Sequence, residues 1–117
     1  MSLDIHRHAE LLMGRADQAS VEGRTQDAAR LNCEAAQLEA QVFDMLPLDR
    51  PRTRGVTAIS SVALYRKGKA LNQAIRQAEA FLAPGNLPEF ARLDLEEMIE
   101  EMRAELDATA SIERLPS

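Results

Sequence analysis

The stretch GKALNQAIRQAEAFLAPGNLP, residues 68–88, decides the fold class of this chain. Its apolar side chains recur every three or four positions, at Leu71, Ala74, Ile75, Ala78, Phe81 and Leu82. This spacing places them on one face of an α-helix. Gly68 precedes the run and Pro84-Gly85-Asn86 follows it, and both are typical of the ends of helices. The stretch therefore predicts a helix over residues 71–82 with a turn on either side.

The same periodicity recurs along the rest of the chain. It predicts helices over about 3–21 and 25–46, a third from Pro51 to Gly68, and a fifth from Pro88 with apolar residues through Leu106. The chain has 19 alanines and only four aromatic residues, a composition that suits closely packed helices and disfavours a sheet. Short connections favour antiparallel neighbours. We therefore expect an all-α fold of about five antiparallel helices, with one domain over residues 1–107 and a frayed tail over 108–117.

Small residues at the predicted helix turns give the chain a family resemblance. The first two helices carry Ala16, Gly23, Ala28 and Ala35, and the next two carry Tyr65, Ala74 and Ala78, with Gly68 one position early. In this spacing the chain resembles a tetratricopeptide repeat (TPR) protein, in which small residues let the two helices of each hairpin pack closely. Ala28 and Ala74 are 46 residues apart, whereas a regular array repeats every 34 residues. The resemblance implies two TPR-like hairpins, a C-terminal capping helix, and a concave surface on the first helix of each hairpin that receives a partner's peptide or helix.

Composition indicates an ordinary folded domain. The chain has 117 residues, of which 45% are hydrophobic and 28% are charged. No apolar run approaches the roughly 20 residues that cross a membrane, and no signal-peptide core is recognisable. A single cysteine, Cys33, excludes an internal disulfide framework. We therefore expect a cytoplasmic protein without a membrane partner.

Charge is distributed unevenly along the chain. The net charge is −4 over residues 1–47, +5 over residues 48–80 and −6 over residues 81–117. Arginines crowd the start of the third helix, where the helix dipole disfavours cations. Such a cluster is suited to holding an anion, or it pairs internally with the acidic fifth helix. An acidic chain without interleaved aromatic and basic residues does not fit nucleic acid as a partner.

The candidate partner-binding residues follow from this basic segment. They are Arg52, Arg54, Tyr65 and Arg66, all on the third helix. In the TPR-like interpretation they anchor an extended or helical peptide on the concave surface. In the alternative interpretation the arginines are ordinary solvated or salt-bridged side chains, and Tyr65 is a core aromatic with its hydroxyl at the edge.

Self-assembly is the second hypothesis. Two hairpins are fewer than the three usually needed to bury a continuous core, so a second copy is expected to cover an open face. The candidate dimer seam lies on the fifth helix, at Met98, Ile99, Met102 and Leu106.

The sequence gives little support to catalysis. His6 and His8 are two positions apart and point to different sides of a helix, so they are not spaced to chelate one metal ion. Cys33 has no histidine on its helix to activate it. The glutamates of the fifth helix fit a solvated face better than an acid–base pair. We therefore expect a non-catalytic protein-interaction module without cofactor or metal, and an enzyme or ligand-binding bundle is a remote third hypothesis.

Overall fold

The structure is a computed structural model that describes residues 2–113, with side chains described over residues 4–112. The described residues contain no β-strand, and they confirm the predicted all-α fold. The five helices are α1 (Ser2–Val21), α2 (Thr25–Met45), α3 (Pro51–Lys67), α4 (Leu71–Leu82) and α5 (Glu89–Glu113).

Helices α1 and α2 form an antiparallel hairpin with a short turn. Gly23 adopts a φ of 79°, a left-handed conformation that glycine reaches without steric cost. The amide of Arg24 then donates to the carbonyl of Ala19 at 2.8 Å and closes the end of α1. One face of α1 is buried against α2, at Ala9, Leu12, Ala16 and Ala19. Because three of these four residues are alanine, the two helices approach closely.

Helix α3 returns along α2 after a link that ends at Pro51, the first residue of the helix. Two contacts fix the closeness of the pair. The hydroxyl of the buried Ser61 donates to the carbonyl of Ala36 at 2.8 Å. Gly68, just past the end of α3, lies so near α2 that an added Cβ would meet the side chain of Cys33 and lie 2.9 Å from the carbonyl of Ala29. This position therefore requires glycine.

Helix α5 packs against both α3 and α4. Leu95 and Met102 have no exposed surface and form the centre of this contact. Gly55 of α3 lies against Phe90 and Ala91 at the start of α5, while Arg66 near the end of α3 reaches the middle of α5. The two helices are therefore parallel, as alternate helices are in an array of antiparallel neighbours.

The described helices form an elongated stack that measures 54 × 33 × 16 Å over its Cα atoms. Each helix packs against its neighbour in the chain, and α5 also packs against α3. Helix α1 packs against α2 alone, apart from an ion pair of 3.5 Å between Asp17 and Lys67 of α3. The resemblance to TPR proteins stays a prediction.

Helix α5 is longer than expected. It continues to Glu113, whereas a frayed tail was expected from Ala108 onward. Two alanines in this segment favour helix, and the hydroxyl of Thr109 donates to the carbonyl of Glu105. The predicted tail over 114–117 lies outside the described residues.

Candidate functional site

Arg54 is a buried structural residue rather than a surface cation. It is 8% exposed, and its guanidinium lies 4.3 Å from the centre of the Phe43 ring. Its Nη1 donates to the carbonyl of Leu46 at 3.1 Å, and its Nη2 donates to Oδ1 of Asn86 at 3.4 Å. Arg54 thus joins the end of α2, the start of α3 and the loop between α4 and α5. Its Nη1 and Nη2 donate within the chain, whereas its buried Nε has no hydrogen-bond partner among the described residues.

Arg52 and Tyr65 lie in different surroundings. Arg52 is exposed in the first turn of α3 and forms no ion pair within residues 4–112. Residues two positions apart on a helix point to different sides, so the exposed Arg52 and the buried Arg54 do not form one cluster. Tyr65 is 4% exposed and belongs to the core, and burial raises the pKa of its hydroxyl. The core interpretation of Tyr65 therefore fits the structure better than a peptide anchor does.

Arg66 pairs with the acidic helix α5. Its Nη1 donates to Glu101 at 3.0 Å, and its Nη2 donates to Glu105. The hydrogen bonds to Glu105 and then Glu101 raise the pKa of Arg66. A second ion pair joins Arg103 of α5 to Glu79 of α4 at 3.1 Å. The basic segment was expected either to bind an anion or to pair with α5. Arg66 pairs with α5.

The predicted dimer seam faces the interior. Met102 has no exposed surface and Ile99 is 8% exposed, while Met98 and Leu106 are partly buried and pack against the core. These side chains contact α3 and α4 because α5 needs its apolar stripe to dock within its own chain. Little of this seam is therefore exposed for contact with a second copy of the chain.

A groove of about 870 Å³ lies between the start of α4 and the second half of α5, and we call it the α4–α5 groove. Apolar side chains line part of it, at Ala70, Leu71, Leu106 and Ala108. Polar and charged side chains complete it, at Arg66, Lys69, Asn72, Gln73, Arg76, Glu105 and Thr109. Of the four predicted partner-binding residues, only Arg66 lines this groove.

The electrostatics of the α4–α5 groove are positive at the α4 side. Lys69 and Arg76 are exposed and form no ion pair within the described side chains. The first turn of α4 contains no acidic residue, and its N-cap residue, Ala70, has no side chain that could accept from the free amides. The amides at the helix start therefore add a partial positive charge beside the two cations. The groove combines apolar surface with a cationic rim.

Lys69 and Arg76 belong to the basic segment, residues 48–80, but they were not among the predicted site residues. One signal was available: the predicted start of α4 has basic residues and no acid around it. Part of the opposite wall of the groove is formed by Ala108 and Thr109 of α5, in the segment that was expected to be a frayed tail. The groove therefore could not be assembled from the predicted elements.

Neither a metal-binding cluster nor an activated thiol is found among the described residues. Within residues 4–112 no group of three His, Cys, Asp or Glu side chains is placed to hold a metal ion. The Cys33 thiol is partly buried and donates to the carbonyl of Gly68 at 3.6 Å, and burial raises the pKa of that thiol. A thiol with a raised pKa is a poor nucleophile at neutral pH.

No family model, no curated protein and no solved structure matches this chain. None of the helices in the described part of the chain combines the length and apolar character needed to cross a membrane.

Proposed function

We propose that this chain is a non-catalytic, cytoplasmic protein-interaction module that holds an acidic peptide or helix of a partner in the α4–α5 groove. The observation that carries the proposal is the position of Lys69 and Arg76, two cations without an ion pair in the described structure, beside Leu71 and Leu106. A ligand that combines carboxylates with apolar side chains would satisfy both features of the groove.

The chain's own α5 supports this choice of ligand chemistry. It is an acidic helix that docks through an apolar stripe, centred on Leu95 and Met102, and through carboxylates that pair with Arg66. A partner segment of the same character would repeat this mode of docking at the groove. Amphipathic helices are commonly recognised by apolar anchors in a groove, with charge complementarity selecting the partner.

The experiment is selection of binders from a displayed library of random peptides on the intact chain. We expect the selected peptides to combine Asp or Glu with apolar residues. Their affinity should fall by about tenfold or more in a variant that carries both Lys69→Glu and Arg76→Glu, because like charges then face each other. Circular dichroism should show unchanged helical content, since both side chains are exposed.

Arg52→Glu is the matched control. It reverses the charge of an exposed arginine of the same basic segment, but Arg52 does not line the α4–α5 groove. Peptides that bind the double variant as tightly as the wild type, or that lose affinity equally with Arg52→Glu, would contradict the proposed groove.

Self-assembly is retained as a second candidate because of another surface. Phe90 lies against Gly55 of α3 and is 41% exposed, and the neighbouring Val56 and Leu93 are 51% and 50% exposed. If a second copy covers this surface, Leu93→Glu should turn a dimer into a monomer in size-exclusion chromatography with light scattering. Leu11→Glu, which alters a similarly exposed leucine on α1, should leave the mass unchanged.

A further inference from the structure

A polar cluster lies inside the contact between α1 and α2, away from the α4–α5 groove. Glu39 of α2 is charged in its ordinary state, yet its side chain is only 3% exposed. Its Oε1 lies 2.8 Å from Nδ1 of His6, a residue of α1 that is 42% exposed. The other ring nitrogen of His6, Nε2, lies 2.8 Å from Oε1 of Glu10, one helical turn further along α1. His6 therefore lies between two carboxylates.

Both ring nitrogens of His6 are within 2.8 Å of a carboxylate oxygen. The contact between His6 and Glu39 is a hydrogen bond, and it needs a proton between the two atoms. The contact between His6 and Glu10 is an ion pair when His6 is protonated. A neutral imidazole has one N–H, whereas the imidazolium has two. Both contacts form together, with ionised carboxylates, when His6 is protonated. Loss of that proton removes the attraction between His6 and Glu10 and leaves the buried Glu39 without a positive partner.

The consequence is concentrated on α1 because this helix has few other attachments. Its buried face consists largely of alanines, and α2 is the helix against which it packs. Asn32, two turns before Glu39 on α2, has a buried Oδ1 without a hydrogen-bond partner, which further weakens this side of α2. The charged groups that face His6 are Glu39 from α2 and Glu10 from α1 itself. The ion pair between Asp17 and Lys67 lies about 16 Å further along α1, at 1.5 Å per residue.

We propose that His6 is a proton-dependent latch that holds α1 on α2, and that α1 opens more readily from the rest of the fold when His6 loses its proton. The imidazolium joins the buried carboxylate of α2 to the exposed carboxylate of α1. Without the positive charge, α1 is held by its small apolar contacts with α2, by the remaining contact with Glu39 and by the ion pair between Asp17 and Lys67.

The direction of the pH dependence follows from linkage. The hydrogen bond to Glu39 is the main cause that raises the pKa of His6 above its usual value of 6.5, and the charges of Glu39 and Glu10 add to it against partial burial. A group whose pKa is raised by folding stabilises the folded state fully below its unfolded pKa. That stabilisation is lost as the pH rises through the folded pKa, which lies above 6.5.

The test is amide hydrogen exchange of the intact chain at about pH 5.5 and about pH 8.5, on either side of the usual histidine pKa. After correction for the intrinsic exchange rate, opening of α1 should increase by about tenfold for each pH unit by which the folded pKa of His6 exceeds its unfolded value. Exchange of α3 to α5 should change much less, because these helices do not contact the cluster.

Two histidine variants distinguish the latch from a general effect of pH. His6→Gln keeps a donor to Glu39 but does not titrate, so α1 opening should lose its pH dependence. His8→Gln is the matched control, since His8 is exposed on the same helix and makes no hydrogen bond within the described residues. The proposal is overturned if His6→Gln keeps the wild-type pH dependence or if all five helices respond equally.

A measurement on the wild type alone keeps the proposal testable if His6→Gln does not fold. The NMR titration of the His6 ring should have its midpoint above about 6.5, and α1 exchange should change over the same pH range. A midpoint at or below that value would overturn the latch. Neither readout depends on the α4–α5 groove or on a partner.

Discussion

The first and last helices of this protein are both long and both at the end of the stack, yet they are attached in different ways. Helix α1 rests on α2 through alanines, Leu12 and a polar pair. Helix α5 rests on α3 and α4 through Leu95 and Met102, which are fully buried, and its ion pairs with Arg66 and Glu79 lie outside this contact.

The difference indicates that the size of the side chains a helix buries, and not only its length, determines how firmly it is held. Full burial of a Leu or Met side chain contributes about 1.5–3 kcal/mol, whereas an alanine side chain removes much less apolar area from water. Helix α5 also packs against two helices, whereas α1 packs against α2 alone. We therefore expect α1 to open locally and α5 to unfold only with the rest of the molecule.

The largest expected effect tests the attachment of α5. Met102→Ala should lower the free energy of unfolding by about 2–5 kcal/mol, because it leaves a cavity where α5 meets α3 and α4. Urea denaturation followed by circular dichroism measures this loss. Leu12→Ala, the comparable truncation on α1, should cost less and should increase amide exchange in α1 while α3 to α5 stay protected. Equal, global losses from both variants would contradict the difference between the two helices.

The next largest effect concerns Arg54, which links the end of α2 to the loop between α4 and α5. Arg54→Met should lower the free energy of unfolding by about 1–3 kcal/mol, because the Leu46 carbonyl loses a charged donor and Phe43 loses the cation above its ring. Arg52→Met should change it by less than about 0.5 kcal/mol, since Arg52 is exposed. Thermal melting of the two variants measures the contrast. Equal melting temperatures of the two variants would contradict a structural role for Arg54.

The sequence was most informative where helices end. Helix α4 spans the apolar positions from which it was predicted, residues 71–82, and ends before Pro84, because glycine and proline on either side act through local backbone geometry. Local signals also place the starts of α2 and α3. At the C-terminal end of α5 no glycine or proline marks a stop before Pro116, and the helix runs on to Glu113.

The site was less predictable because side-chain direction depends on residues distant in sequence. Arg54 and Arg52 differ by two positions, but only the fold shows that Phe43 and Asn86 surround the first of them. No sequence pattern distinguished Glu39 from the other acidic residues, because only the packing of α1 on α2 places His6 beside it. Lys69 and Arg76 form a groove only because α5 extends opposite them. Pairings across 30 or more residues are set by packing, which periodicity does not encode.

The smallest expected effect sharpens the comparison from the side of α1. Gly14 is exposed in the middle of α1, and an added Cβ would meet no atom within 4 Å. Gly14→Ala should therefore raise the helix-forming tendency of α1 by about 0.5–1 kcal/mol without any new contact. Because α1 opens separately, the gain should appear as slower amide exchange in α1, while exchange in α4 and α5 stays as it was. Equal slowing in all five helices would show that α1 unfolds together with the others, and the distinction between the two ends of the stack would then be wrong.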